Sequence, residues 1–421
     1  MVGTLKIKHL FLAGKIMIIC CLGLPLTAQT TSEITENIPD TSHTKEALNY
    51  KYQRDLIDFG LILLNKNPDS RLDSSRNKFT HFYFSVPPIV EYTIATKFSF
   101  GIAGNVAFTT SSAQKTNISS FLGAIKYTQK RQFLLPVQSS IWTPGNKYNL
   151  LGDWRYINYP QDSYGFGGFT TSSDKYIINF QQVRLYETVL HSIRKNIYFG
   201  FGYQLDHYWR ISESGVQPGR ITDFQKYGFS GKSTSSGVVL DFIYDSRGNS
   251  INPEGSSFYA NIQVLQDAKL LGADSNWNSL LIDLRKYIKM PFHTILAFWF
   301  YSVFTITGDP PYLYLPGTGS DTYNNTGRGY EQSRFIGKKM VDLEAEYRFN
   351  ITKNGLIGAV IFANAESLSE LDNNKLEVIL PGFGIGLRLK FNKFSGTNVC
   401  IDYGIGTKGS RGFVGNLGEV F

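Results

Sequence analysis

Charged residues spaced so that they could pair cluster in one stretch of the sequence. Gly327-Arg328-Gly329-Tyr330 is followed by Arg334-Phe335 and then by the run Val341 to Phe349. In that run Val341, Leu343, Ala345, Tyr347 and Phe349 alternate with Asp342, Glu344, Glu346 and Arg348. A period of two puts successive side chains on opposite faces of a β-strand. The chemistry on offer is ion pairing rather than bond making. A guanidinium presents a rigid fork that a carboxylate can accept two bonds from at once. Glycines on both sides of Arg328 let the backbone turn tightly and approach a wall closely. Arg328 and Glu346 are therefore a candidate clamp, because an arginine folded out of water must be paired. The alternative is that Arg328 belongs to a mobile outer loop and Glu346 faces water.

Residues suited to catalysis are sparse. The six histidines show no zinc-type spacing with acids or cysteines. There is no Gly-x-Ser-x-Gly elbow, and His207 with Ser212 is the nearest Ser-His pair. Gly382-x-Gly384-x-Gly386 alternates within a strand-like segment and lacks the following helix that a nucleotide loop needs. The expectation is a protein that is not an enzyme and has no catalytic, cofactor-binding or metal-binding residues. The formal charge of +8 contains no basic run of the kind that nucleic-acid binders carry, so no nucleic-acid partner is expected.

The elements that would position such a clamp follow from composition and period. The 421 residues are 14% aromatic and only 18% charged, with 40 glycines and a mean hydropathy of −0.16. That balance suits a transmembrane β-barrel, in which only every second strand residue meets lipid. Lys6 and Lys8 precede the apolar stretch Ile16 to Leu26 and the small residues Thr27-Ala28. This is the pattern of a secretory signal peptide, residues 1–28. Cys20 and Cys21 suggest a lipoprotein signal, but Ile19 stands where a small residue belongs. After cleavage only Cys400 remains, so no intrachain disulfide is expected.

Residues 29–91 read as a short periplasmic lead-in. Thr30 to Lys45 is polar enough to be flexible. Leu56, Ile57, Phe59, Leu61 and Leu64 fall near helical spacing and predict a short helix. Pro87-Pro88 ends the segment, since tandem prolines continue neither a helix nor a central strand. Residues 92–421 are a series of alternating segments, among them Ile197 to Leu205, Phe258 to Val264, Gly382 to Phe391 and Val399 to Ile405. Connections look short at Thr128 to Arg131, Met290 to His293, Thr352 to Gly355 and Asn392 to Gly396, and long at Ser212 to Thr234 and Thr307 to Lys338. Short turns at one end and long loops at the other are the outer-membrane arrangement. The fold class is thus all-β, a transmembrane antiparallel barrel of about sixteen strands. Gly165 to Ser173 reads either as a short strand or as a constriction loop. The terminal Phe421 is expected at the lipid interface, and a charge at position 344 is expected to be tolerated by a polar lumen.

Four places in this order resemble the BamA/TamA family of outer-membrane assembly proteins. Tyr244 to Asn249 with Pro253-Glu254-Gly255 is similar to the family's periplasmic turn, with Asp245, Arg247, Pro253 and Gly255 carrying the motif. Gly327 to Tyr330 resembles its lumenal-loop motif, and Glu344 to Phe349 resembles the strand after it. Gly382 to Arg388, Asp402-Tyr403-Gly404 and Phe421 resemble the closing strands. The resemblance implies that Glu346 is the lumenal acid paired with Arg328. It also implies a second acid within Phe-x-Asp-x-Gly, where this chain has Phe362-Ala363-Asn364-Ala365. The clamp is then expected to rest on Glu346, with Asn364 in the second position. Residues 29–88 are too short and polar for the family's POTRA arm. The implied function is protein insertion or translocation, with outer-membrane lipids, unfolded barrel clients or a separate periplasmic factor as partners. A passive or gated channel and a surface adhesion barrel remain the alternatives.

Overall fold

The computed structural model describes residues 52–71, 83–86, 88–111, 116–228 and 230–421. The proposed signal peptide and the polar stretch to Lys45 lie outside these. Among the described residues, the helix α1 (Leu56–Leu63) precedes the strands. The first strands are β1 (Tyr83–Ser85), β2 (Pro88–Thr93), β3 (Lys97–Phe108), β4 (Ser119–Thr128), β5 (Phe133–Trp142) and β6 (Tyr148–Ser163). Then come β7 (Tyr176–Arg194), β8 (Ile197–Ser214), a short helix α2 (Asp223–Gly228), β9 (Lys232–Asp245), β10 (Ser257–Asp267) and β11 (Trp277–Met290). The last are β12 (Thr294–Gly308), β13 (Lys339–Asn350), β14 (Ile357–Leu368), β15 (Leu380–Asn392), β16 (Thr397–Gly406) and β17 (Arg411–Leu417).

Each strand from β2 to β17 pairs antiparallel with the next, and the sheet order returns β17 to β2, which closes a ring. β1 and β2 both pair with β3 and continue one another in a single register. They are two pieces of one wall strand, so the ring has the sixteen staves that the alternation suggests. Pro88 opens β2 opposite Ile102, and a first-strand position is one that proline tolerates. The wall therefore starts at residue 83, ahead of Tyr92.

The direction of the alternation separates a membrane wall from a soluble sheet. On β13 the charged residues Asp342, Glu344, Glu346 and Arg348 are buried, whereas Leu343 is 53% exposed. A water-soluble sheet would do the opposite. The same inversion recurs on β8, where Phe199, Phe201 and Tyr203 are exposed, and on β15, where Phe383, Ile385 and Leu387 are exposed. Among the described residues no helix is long and apolar enough to cross a membrane. A closed ring of strands is the other structure that satisfies every backbone group in lipid.

The lumen is filled. Residues 309–338, between β12 and β13, pack inside against Trp299, Tyr301, Met340 and Leu368. A second aromatic cluster joins Tyr312 and Ile336 to Tyr159, Tyr176, Phe180 and Tyr208 on β6 to β8. Strand parity sorts the connections into two rims. Residues 164–175, 215–231, 309–338 and 369–379 lie on one rim, and the short turns 195–196, 291–293, 351–356 and 393–396 lie on the other. Thr128 to Arg131 is a correction to the sequence reading. This short turn lies on the long-loop rim, where Lys130 Nζ reaches Glu331 Oε1 of the lumenal loop at 2.6 Å. Gly165 to Ser173 is a constriction loop rather than a strand: Gly167 donates its N–H to Ile336 O at 2.8 Å across the lumen.

Candidate functional site

Arg328 is carried into the lumen by a tight turn whose glycines do what the sequence suggests. Gly327 and Gly329 have φ of +71° and +105°, a backbone region that costs other residues strain. The Arg328 side chain is 1% exposed and meets three carboxylates. Its Nη2 donates to Glu346 Oε2 at 2.8 Å, its Nε to Glu344 Oε2 at 3.1 Å, and its Nη1 to Asp402 Oδ2 at 2.9 Å. The Phe362 ring lies under the guanidinium, 3.9 Å from its carbon to the ring centre. Glu344 also accepts the Gly327 N–H at 3.1 Å. Position 344 is thus part of the clamp and is not open to an arbitrary charge. Alternation puts Glu344 on the same face as Glu346 but does not show that it binds Arg328. Asp402 stands in the closing-strand motif, but nothing in the linear sequence says that β16 passes beside the loop.

Asn364 does not bind the guanidinium. Its Nδ2 donates to the backbone carbonyl of Arg328 at 2.8 Å. Glycines on the closing strands form the seat. A Cβ on Gly404 would stand 2.7 Å from Gly329 backbone atoms, and one on Gly406 would stand 2.4 Å from the Tyr330 ring. Tyr330 OH donates to Pro381 O at 2.6 Å and accepts the Thr407 N–H at 2.9 Å. The loop motif therefore touches β13, β14, β15 and β16 at once.

The ion pairs extend beyond Arg328. Glu346 also pairs with Arg348, and Asp402 with Arg388. Arg388 Nε donates to Glu419 Oε2 at 2.8 Å, and Arg348 Nη2 donates to Phe421 O at 2.7 Å. Phe421 is not at the lipid interface. After β17 ends, Gly418 (φ +95°) turns the chain inward, and Phe421 is buried with its ring 5.2 Å from that of Trp299. Asn325 of the loop donates to Val420 O at 2.8 Å. Aromatic stacking and nearby cations favour the lumen over the interface for this ring.

The turn motif closes the short-turn mouth. Arg247 binds Asp245 through both carboxylate oxygens, at 2.9 and 2.8 Å, and lies over the Tyr259 ring. Pro253 is buried and Gly255 exposed. Between them and Asp245 the turn reaches β15–β16: Asn249 donates to Ser395 O at 2.7 Å and Asn252 to Gly396 O at 3.0 Å. At the other mouth Arg334 donates twice to Thr170 at 3.0 Å. Lys408, in the β16–β17 turn, donates to Thr170 O at 2.9 Å. Burial pushes the Glu370 carboxyl above its ordinary range, against the N–H groups of Gly168 and Phe169. Burial and the neighbouring Arg334 lower the Lys408 ammonium. His207 bonds Thr234 Oγ1 at 2.9 Å rather than Ser212.

No family model matches the sequence, and no curated protein matches it significantly. Solved structures do. The chain is similar to BamA from Haemophilus ducreyi lacking POTRA domains 1–3, with a TM-score of 0.52 and 13% identity over 89% of this chain and 80% of that one. It is similar to CdiB from Acinetobacter baumannii with a TM-score of 0.51 and 13% identity over 80% of this chain and 60% of that one. It thus spans less than two thirds of the CdiB chain. At such identity the likeness is one of fold, and the fold is the large antiparallel barrel of these outer-membrane proteins.

Proposed function

We propose that this chain is an outer-membrane barrel of the assembly or translocation type, with the short-turn rim in the periplasm and the lumenal loop 309–338 latched by Arg328. The observation that carries the reading is the three-carboxylate socket of Arg328, which ties the loop to β13 and β16. A latch placed there holds the loop to β13 and to β16, the strand that pairs with β17 at the ring's seam. β2 has six residues and β17 seven, against nineteen in β7. Short neighbours share few ladder bonds, so this is where the ring opens at least cost. In this reading the clients are unfolded outer-membrane proteins, received through a separate periplasmic partner.

A second reading, a surface adhesion barrel, is favoured by the filled lumen and by the links among 164–175, 369–379 and 407–410. An open channel is the reading that a filled lumen favours least. Depletion of the protein followed by outer-membrane proteomics separates them. Loss of many barrels supports assembly. An unchanged set of barrels rejects it and leaves the adhesion reading.

A further inference from the structure

The helix α1 is built inside out for a helix in water. Asp58 and the capping Asp55 point inward, while Phe59, Ile62 and Leu63 point out. Asp55 caps it, accepting the Asp58 N–H at 2.7 Å, and both carboxylates are fully buried. Lys393, in the β15–β16 turn, donates its N–H to Asp55 Oδ2 at 2.8 Å and its Nζ to Asp58 Oδ2 at 2.9 Å. Arg71 reaches both acids at 2.6 Å. Arg54 N–H bonds Asn354 O in the neighbouring turn at 3.1 Å. The helix is therefore fixed to two turns on one rim, to one by buried charges and to the other by a backbone hydrogen bond. Meanwhile Phe59 is 44% exposed and Leu63 76%, with Ile62 and Leu64 exposed beside them.

The wall says what this face meets. On β15 the outward apolar row Phe383, Ile385, Leu387 is exposed, but Phe391, at the end of the strand nearest the turn, is buried. α1 packs against β15 at the end that leads into the Lys393 turn, so its exposed apolar residues lie next to that row. Ile351, in the turn that Arg54 reaches, is exposed as well. Phe59, Ile62 and Leu63, at i, i+3 and i+4, fall on one side of the helix. Lys66, just past its end, is exposed, where it can meet anionic headgroups.

We propose that α1 is an in-plane lipid anchor, with Phe59, Ile62, Leu63 and Leu64 seated in the bilayer leaflet next to the short-turn rim. The occupant is a glycerophospholipid surface, which continues the belt already in contact with the wall. This rests on the membrane reading of the barrel and goes beyond it.

The test uses the full chain, reconstituted in vesicles of phosphatidylethanolamine and phosphatidylglycerol. Phe59→Cys, Leu63→Cys, Ile385→Cys and Ser172→Cys variants, each in a Cys20→Ser, Cys21→Ser background, carry an environment-sensitive fluorophore; Cys400 is buried and stays unlabelled. Quenching by nitroxide-labelled lipid and by aqueous iodide is then compared. Positions 59 and 63 are expected to match Ile385 in lipid quenching and to be several-fold less open to iodide than Ser172. Iodide access without lipid quenching at 59 and 63, with Ile385 lipid-quenched, overturns the anchor while leaving the barrel in the membrane. Protection from both quenchers overturns it too, because protein then covers the face. An Ile385 label untouched by lipid overturns the membrane reading itself.

Discussion

Asn364 meets Arg328 through the backbone: its amide donates to the Arg328 carbonyl at 2.8 Å while the guanidinium turns away to three acids. The residue that departs from the resembled motif thus holds the same loop by a different bond. Asn364→Asp would set a carboxylate against that carbonyl, beside Glu344, which lies opposite it in the β13–β14 register. It is expected to loosen the loop, with a cost of about 1–3 kcal/mol for the buried acceptor left unpaired. Limited proteolysis within 309–338 reads the effect. Slower cleavage of the aspartate variant than of the parent would show that an acid is preferred there.

How much of this was legible in the sequence follows from what each signal depends on. Alternation is local, so the wall strands and the inward face of Glu344 and Glu346 could be read directly. The inverted burial of β13 then followed from one period. Asp402 is 74 residues from Arg328, and only the pairing of β13 through β16 with the loop folded in over them brings it into reach. Phe421 looked like the end of a lipid-facing strand because alternation does not show a turn such as that at Gly418. Thr128 to Arg131 is as short as the turns of the opposite rim, and strand parity, which loop length does not show, places it with the long loops. The network between Asp55, Asp58 and Lys393 joins residues more than 300 positions apart, and no local pattern announces it.

Leu343→Arg and Glu344→Arg should both destabilise the barrel, for different reasons. The first puts a cation in hydrocarbon, at about 2–4 kcal/mol near the midplane. The second places a cation beside Arg328 and removes one of its three carboxylates, and breaking a buried pair costs about 3–5 kcal/mol. Heat-modified mobility on gels at graded temperatures reports both. Detergent choice should alter the Leu343→Arg loss and leave the Glu344→Arg loss nearly unchanged. A Glu344→Arg barrel as stable as the parent would mean that position 344 faces open water.

Gly404→Ala tests the seat without touching a charge. The added methyl group would lie 2.7 Å from the Gly329 backbone, which the loop can relieve only by backing off. Overpacking of this kind costs about 1–3 kcal/mol. The expected result is a folded barrel whose loop 309–338 is cleaved faster, while Gly409→Ala, in open space, changes the cleavage rate little beyond its turn strain. Equal cleavage of the Gly404→Ala protein and the parent would place the loop away from β16.

Arg328 and Glu346 allow the sharpest test, because the socket is asymmetric. Removing Arg328 leaves Glu344 without its guanidinium, while Glu346 keeps Arg348 and Asp402 keeps Arg388; removing Glu346 leaves Arg328 with two acids and frees Arg348 from one. Arg328→Ala should therefore cost more than Glu346→Ala, with about 3–5 kcal/mol as the scale for an uncompensated buried charge. The double variant should fall short of the sum, since the two substitutions share the Arg328–Glu346 interaction. Arg328→Lys should recover only part of the loss: an ammonium keeps the charge but cannot span acids on β13 and β16 with a fixed fork. Glu346→Gln keeps the shape and an acceptor for Arg328 while removing the charge, so it should sit between parent and alanine. Loop proteolysis and barrel melting should give the same order. If the two alanine losses simply add, Arg328 and Glu346 do not act as a pair, and the latch must rest on Glu344 and Asp402 alone.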